Sequence, residues 1–247
     1  MIGLSLMVLT AIIASQRNYP KGEMVPLREA VRISAGALLG FLTVVIIVGG
    51  VIFGIFTATE SAAIAVIYAF LVAMFAYREL KWRQLPKLMG GVVRTVAMVM
   101  ILIGFASAFA YMMTLMQIPA TVTDFFLTLS DNKVIILMMI NLMLLVLGMF
   151  MDMAPLILIC TPILLPVIKS IGVDPVHFGI IIMLNLGIGL VTPPVGTTLF
   201  VGCAIGKIPI DEAARGLWPF WLAMFIVLML VTYVEPIAMT VPRWVNF

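Results

Sequence analysis

Two interrupted stretches of this chain hold the residues able to do chemistry. The first, GMFMDMAPLILICTP from Gly148 to Pro162, places the ionisable Asp152 between Gly148, which loosens a helix, and Pro155, which has no backbone donor. These three helix-disturbing features predict an unwound point. The second, NLGIGLVTPPVGTTLFVGC from Asn185 to Cys203, sets Pro193 and Pro194 side by side among four glycines. Neither proline can donate an N–H, so carbonyls about one turn earlier lose their partners. In hydrocarbon such a break is tolerated where protein or a water-filled cavity receives the freed groups. The second stretch therefore reads as the tip of a re-entrant hairpin, the kind of element that holds ions and substrate in secondary transporters.

The oxygens offered are those a hard monovalent cation takes: neutral carbonyl, amide and hydroxyl groups with one carboxylate. Gly148, Asp152, Asn185, Thr192 and Pro193 form the candidate ion-binding set. An aspartate at the centre of an inserted helix costs roughly 2.5–3.5 kcal/mol, so it is expected to face a partner, a cation or water. A compatible structural role is to cap the half-helix that follows, accepting N–H groups ahead of Pro155. An organic anion would instead seek the N-terminus of a half-helix, with its unpaired N–H groups and positive dipole end. Pro194, Val195, Gly196, Thr197 and Thr198 are the candidate substrate-binding set, Gly196 allowing close backbone approach. Against both readings, a Pro-Pro kink with glycines also serves simple packing between helices.

Other polar residues favour structural roles. Glu60, three residues after Thr57, matches a capping box, with small residues following for tight helix contact. His177 follows Asp174 and Pro175 and reads as a neighbour of a cap, with a proton relay as the alternative. Cys160 and Cys203 sit in apolar runs without ligand spacing, and pack as small core residues. The 20 methionines are spread through those runs and imply no cofactor box.

These stretches have to be positioned by a membrane scaffold. The chain is 64% hydrophobic and 10% charged, with mean hydropathy +1.26, against roughly 45–50% apolar and about 25% charged in soluble domains. It is an integral membrane protein, and the net charge of +3 resides in loops, without a nucleic-acid motif. Apolar runs fall at about 2–14, 36–56, 60–77, 92–116, 134–168, 177–206 and 217–240. The first lacks a positive leader and a cleavage signature, so it reads as a membrane segment. The run 134–168 is too long for one straight crossing, and 177–206 is broken at its centre. Basic residues cluster at Arg17, Lys21, Arg28 and Arg32, and again at Arg78, Lys81, Arg83, Lys87 and Arg94. Both loops are then cytoplasmic, and the runs between them go out and return. Residues 25–34, with Pro26 at the start, suit a helix on the membrane surface or a soluble linker helix. Ile118 to Leu129 is too short to span and forms a second bent element with run 92–116.

Four segments carry a resemblance to a known family. GIFTATESAAIAVIYAF, LVLGMFMDMAPLILICTPILLPV, DPVHFGIIIMLNLGIGLVTPPVGTTLFV and LWPFWLAMFIVLMLVTYVEP resemble the C-terminal half of the large membrane subunit of tripartite ATP-independent periplasmic (TRAP) transporters. The resemblance implies an all-α, polytopic helical bundle with a discontinuous helix and a re-entrant hairpin, one half of an inverted-repeat elevator-type transporter. It implies sodium-coupled import of an organic acid, C4-dicarboxylate or sialic-acid-like, across a bacterial inner membrane, with sodium as coupling ion and no other cofactor. Its implied partners are a small membrane subunit, a periplasmic substrate-binding protein, the missing N-terminal half of the large subunit and the lipid bilayer. GMFMD would be the discontinuous helix and Thr192 to Gly196 the tip of the second hairpin, with one sodium site between them. The expected organisation is residues 1–35 as the end of a preceding helix plus a linker, 36–91 as scaffold helices, 92–206 as a transport block, and 207–247 as a final helix and tail.

Three other readings compete. Another sodium/anion symporter of the same superfamily would share the hairpins but differ at the TPPVG tip. A membrane-embedded enzyme needs a nucleophile with a base, or a metal cluster, and the single histidine lies at the edge of a run. A non-transporting assembly fragment predicts that Asp152→Ala and Thr192→Ala leave sodium-driven uptake intact.

Overall fold

The computed structural model describes residues 1–17 and 26–244, so Lys21 and Val25 lie outside the described residues, as do the side chains of Arg28 and Arg32. Among the described residues all regular structure is helical, and five helices are long and apolar enough to cross a bilayer. The chain is a multi-pass, all-α membrane protein of two compact units, Pro20–Met98 and Met1–Tyr19 with Val99–Phe247.

The smaller unit is a helical hairpin. Helix α2 (Leu27–Val44) follows Pro26 and runs without interruption through a π turn (Val45–Gly49) into α3 (Gly50–Ile52), so the expected surface helix and the first span are one continuous element. The return helix α4 (Ala58–Leu71) starts at a complete capping box, Glu60 N–H donating to the Thr57 hydroxyl at 3.3 Å and Thr57 N–H to the Glu60 carboxylate at 2.9 Å. Ser61, fully buried, donates to the Ile46 and Ile47 carbonyls at 2.9 and 3.0 Å, which serves the widened turn. Tyr68 and Tyr77 hydroxyls donate to the carbonyls of Leu39 and Gly36, confirming that the two runs are antiparallel.

Helix α5 (Leu85–Leu115) ends at Gln117, whose φ of 56° turns the chain into α6 (Ile118–Leu129). The larger unit then builds α7 (Lys133–Phe150), α8 (Met153–Ser170), α9 (Pro175–Gly189), α10 (Thr197–Gly206), α11 (Ile210–Tyr233) and α12 (Glu235–Trp244), with α1 (Ile2–Gln16) packed along α11. Helix α9 lies against both α7 and α8, and α6 covers α8. The α7 stripe Ile136, Ile140, Leu144 ends on Gly148; the α9 stripe Phe178, Ile182, Leu186 ends near Gly189. Apolar association in lipid relies on packing and close backbone approach, so stripes that end in glycine let the helices converge at that end.

The topology exchanges the two expected elements. Lys133 Nζ, at the start of α7, donates to the Gly172 carbonyl beyond the end of α8 at 3.3 Å. A straight interrupted helix would hold these points about 55 Å apart. The α7–α8 pair is therefore the hairpin, and GMFMD is its tip. The TPPVG segment instead interrupts a helix that continues onward. Helix α11 runs antiparallel beside it, bordering α10 with Ala213 and Leu217, bonding Val191 through Trp221, and reaching the start of α9 where the Val231 carbonyl meets His177 Nε2 at 2.8 Å. The discontinuous helix is α9–α10. Local sequence locates both breaks, but the direction the chain takes after each is set by contacts tens of residues away.

Candidate functional site at the paired helix breaks

The two breaks meet. Gly196 N–H donates to the Met149 carbonyl at 3.2 Å, joining the interruption of α9–α10 to the hairpin tip. One turn below, α7 and α9 touch backbone to backbone: a β-carbon on Gly189 would lie 2.5 Å from the Gly148 carbonyl carbon and 2.7 Å from its Cα. Only hydrogen fits at Gly189, and a β-carbon on Gly148 would press on the Gly189 and Leu186 Cα atoms at 3.3 Å. The C-terminal ends of α7 and α9, and the N-terminal ends of α8 and α10, are thereby brought to one place. Each end carries about half a unit charge, negative at the C-termini and positive at the N-termini. Carbonyls suited to a cation and N–H groups suited to an anion therefore lie next to each other.

Proline and glycine shape the interruption in detail. The Pro193–Pro194 peptide is cis, and Gly196 sits at φ +47°, where a β-carbon would lie 2.8 Å from the Thr192 carbonyl oxygen. The carbonyls robbed of helical partners find others. Gly189 receives Thr192 N–H at 2.9 Å, Leu190 receives Thr198 N–H at 3.1 Å, and Val191 receives the Trp221 indole N–H at 3.0 Å. The Thr192 hydroxyl donates to the Ile188 carbonyl at 2.7 Å. Among the described residues, the carbonyls of Thr192 and Pro193 accept no hydrogen bond.

Asp152 occupies the N-cap position of α8 in extended backbone, as expected, but its carboxylate makes no capping bond and is exposed. The expected cap is corrected on this point: Pro155 at the third helical position has no N–H to give, and the carboxylate turns outward without taking that of Ala154. Thr197, Thr198, Pro194 and Val195 are also exposed, while Gly196 is buried and Thr192 and Pro193 are half-buried.

Asn185 is placed elsewhere. It is fully buried one turn before Gly189, its Nδ2 donating to Asn141 Oδ1 at 2.8 Å and to the Ile181 carbonyl at 3.0 Å. Asn141 in turn donates to the Thr232 hydroxyl at 3.0 Å, so a polar cluster ties α7, α9 and α11 together. Asn185 Oδ1 has no partner. Asn141, Thr232 and Trp221 went unmarked in the sequence; only the isolation of an asparagine within an apolar run hinted at the first. His177 neighbours a cap, as expected: Asp174 at the N-cap of α9 accepts from the N–H groups of Val176 and His177. Cys160 and Cys203 are free and buried on different helices.

Two cavities border the breaks. One of about 300 Å3 lies between Leu145, Ile188, Thr192, Trp218, Trp221 and Phe225. Another of about 630 Å3 runs from Val191 and Thr198 along α10 and α11 to Glu212. Both walls are largely apolar, so the polar chemistry is confined to the helix ends. Among the described residues no three His, Cys, Asp or Glu side chains gather as metal ligands.

Residues 1–237 match the family described as tripartite ATP-independent periplasmic transporter, DctM component. The chain belongs to the DctM family. Three DctM relatives illustrate the range. An uncharacterized protein, YgiK, of Salmonella typhimurium is 43% identical over 97% of this chain and 55% of its own length. The C4-dicarboxylate TRAP transporter large permease protein DctM of Pseudomonas aeruginosa is 37% identical over 100% of this chain and 58% of its own length. The sialic acid TRAP transporter large permease protein SiaM of Vibrio cholerae is 37% identical over 97% and 56%. The chain thus spans a little over half the length of the DctM relatives it matches. Two of these relatives carry the name of a TRAP transporter large permease protein.

Proposed function

We propose that this chain forms one half of the transport pathway of a sodium-driven organic-acid importer in the bacterial inner membrane, and that it is not an enzyme. The observation that carries the reading is the Gly196 N–H to Met149 carbonyl bond at 3.2 Å, which unites the two helix breaks. Sodium is the coupling ion, held by carbonyl oxygens around Gly148, Thr192 and Pro193 with the free carboxylate of Asp152 offsetting its charge. The N-terminus of α10, at Pro194, Val195, Gly196, Thr197 and Thr198, receives the anionic substrate through the N–H groups of Val195 and Thr197 and the positive end of the helix dipole, those of Gly196 and Thr198 being given to Met149 and Leu190. Asn185 supports this arrangement from beneath.

The substrate class is a C4-dicarboxylate or sialic-acid-like acid, in line with the names of two relatives. The other wall of the pathway is the half of the large subunit that the relatives' extra length accommodates. A small membrane subunit and a periplasmic binding protein complete the system. The test is uptake into proteoliposomes containing the complete transporter. Accumulation that requires both an inward sodium gradient and the binding protein supports the reading, and uptake indifferent to sodium contradicts it.

A further inference from the structure

The geometry points to Trp221 as a positioning residue that decides which carbonyls of the α9–α10 break remain open to a cation. This rests on the reading of the break as a sodium site. Two prolines remove the N–H groups that would have closed two turns of helix, yet the carbonyls of Ile188, Gly189, Leu190 and Val191 all have donors. Three of those four are served from within α9–α10, Leu190 by Thr198 at the start of α10. Val191 alone depends on a helix outside that element, through the indole N–H of Trp221 at 3.0 Å, 30 residues away.

That bond has two consequences. It engages the carbonyl directly preceding Thr192, so the first open oxygens are those of Thr192 and Pro193. It also holds the peptide plane between Val191 and Thr192, leaving only the φ and ψ of Thr192 to aim its carbonyl. The indole is itself held: it is part-buried, its ring packs edge-on to Trp218 at 6.3 Å, and both rings wall the cavity of about 300 Å3 beside Thr192. The Trp218 side chain makes no hydrogen bond among the described residues, so Trp218→Phe keeps an aromatic ring beside Trp221 and removes no bond, which makes it the control. Without the indole N–H, the Val191 carbonyl becomes a competing oxygen and the turn is free to rotate.

The experiment compares Trp221→Phe with Trp218→Phe in the complete transporter, titrating uptake with sodium at saturating substrate and with substrate at saturating sodium. Loss of one such hydrogen bond is expected to raise the sodium half-saturation of Trp221→Phe about three- to tenfold while the substrate KM changes far less. Trp218→Phe should match the wild type. If Trp221→Phe does not accumulate, Trp221→His, which keeps a ring N–H, is compared with Trp221→Leu; the histidine variant should retain the lower half-saturation. Equal sodium curves for the two phenylalanine variants, or for histidine and leucine, overturn the inference while the sodium reading stands. A wild-type protein whose uptake ignores sodium overturns both.

Discussion

Gly189 stands so near Gly148 that a β-carbon on it would meet the Gly148 carbonyl carbon at 2.5 Å and its oxygen at 2.8 Å. Backbone of α9 thus packs on backbone of α7 where both helices end. Gly189→Ala should push the ends apart, lowering stability by about 1–3 kcal/mol and raising the sodium half-saturation. Gly187→Ala and Gly179→Ala, where a β-carbon meets nothing within 4 Å, should have neither effect. Thermal melting and sodium titration of the three variants check this.

The Asp152 side chain makes no hydrogen bond at the N-cap of α8, so its carboxylate is free for another task. Asp152→Asn should leave the melting temperature near that of the wild type and weaken sodium dependence more than substrate affinity. An unchanged sodium titration in reconstituted vesicles would remove Asp152 from the ion site.

The buried cluster of Asn141, Asn185 and Thr232 predicts a non-additive pair. Asn141→Leu strips Asn185 Nδ2 of one acceptor and Thr232 of its donor, and should cost about 1–3 kcal/mol. Asn141→Leu with Asn185→Leu should recover part of that loss, because the Asn185 amide left unpaired by the first change is removed by the second. Strictly additive losses in denaturation would contradict the account of this cluster.

The hairpin assignment is open to direct chemical test. Cysteines in place of Lys133 and Ser170 should be joined by a short bis-maleimide, since Lys133 reaches the carbonyl of Gly172 at 3.3 Å. Absence of the cross-link in a folded, transport-competent protein would restore the straight arrangement for α7 and α8.

What could be read from the sequence was local. Thr57 and Glu60 announced a capping box because its partners lie within one turn, and Pro193 and Pro194 announced a break because the missing donors are their own. The chain's course after each break was not legible. A glycine, an aspartate and a proline interrupt a hairpin tip and a straight helix alike, and the deciding contact joins Lys133 to Gly172. The placement of Asn185 was not legible for a related reason. Its side chain offers the right oxygen, but its place on α9 faces Asn141, one turn short of the break. Gly189 was one of four glycines in its stretch, and only the crossing with α7 distinguishes it.

The central claim is that the hairpin tip and the interrupted helix form one cation site. Spin labels at Phe150 and Val195, both exposed, would report it in the complete transporter with Cys160 and Cys203 replaced by alanine. The account predicts strong dipolar broadening that sharpens into a single short distance as sodium replaces choline. A broad or long separation that sodium leaves unchanged would contradict it.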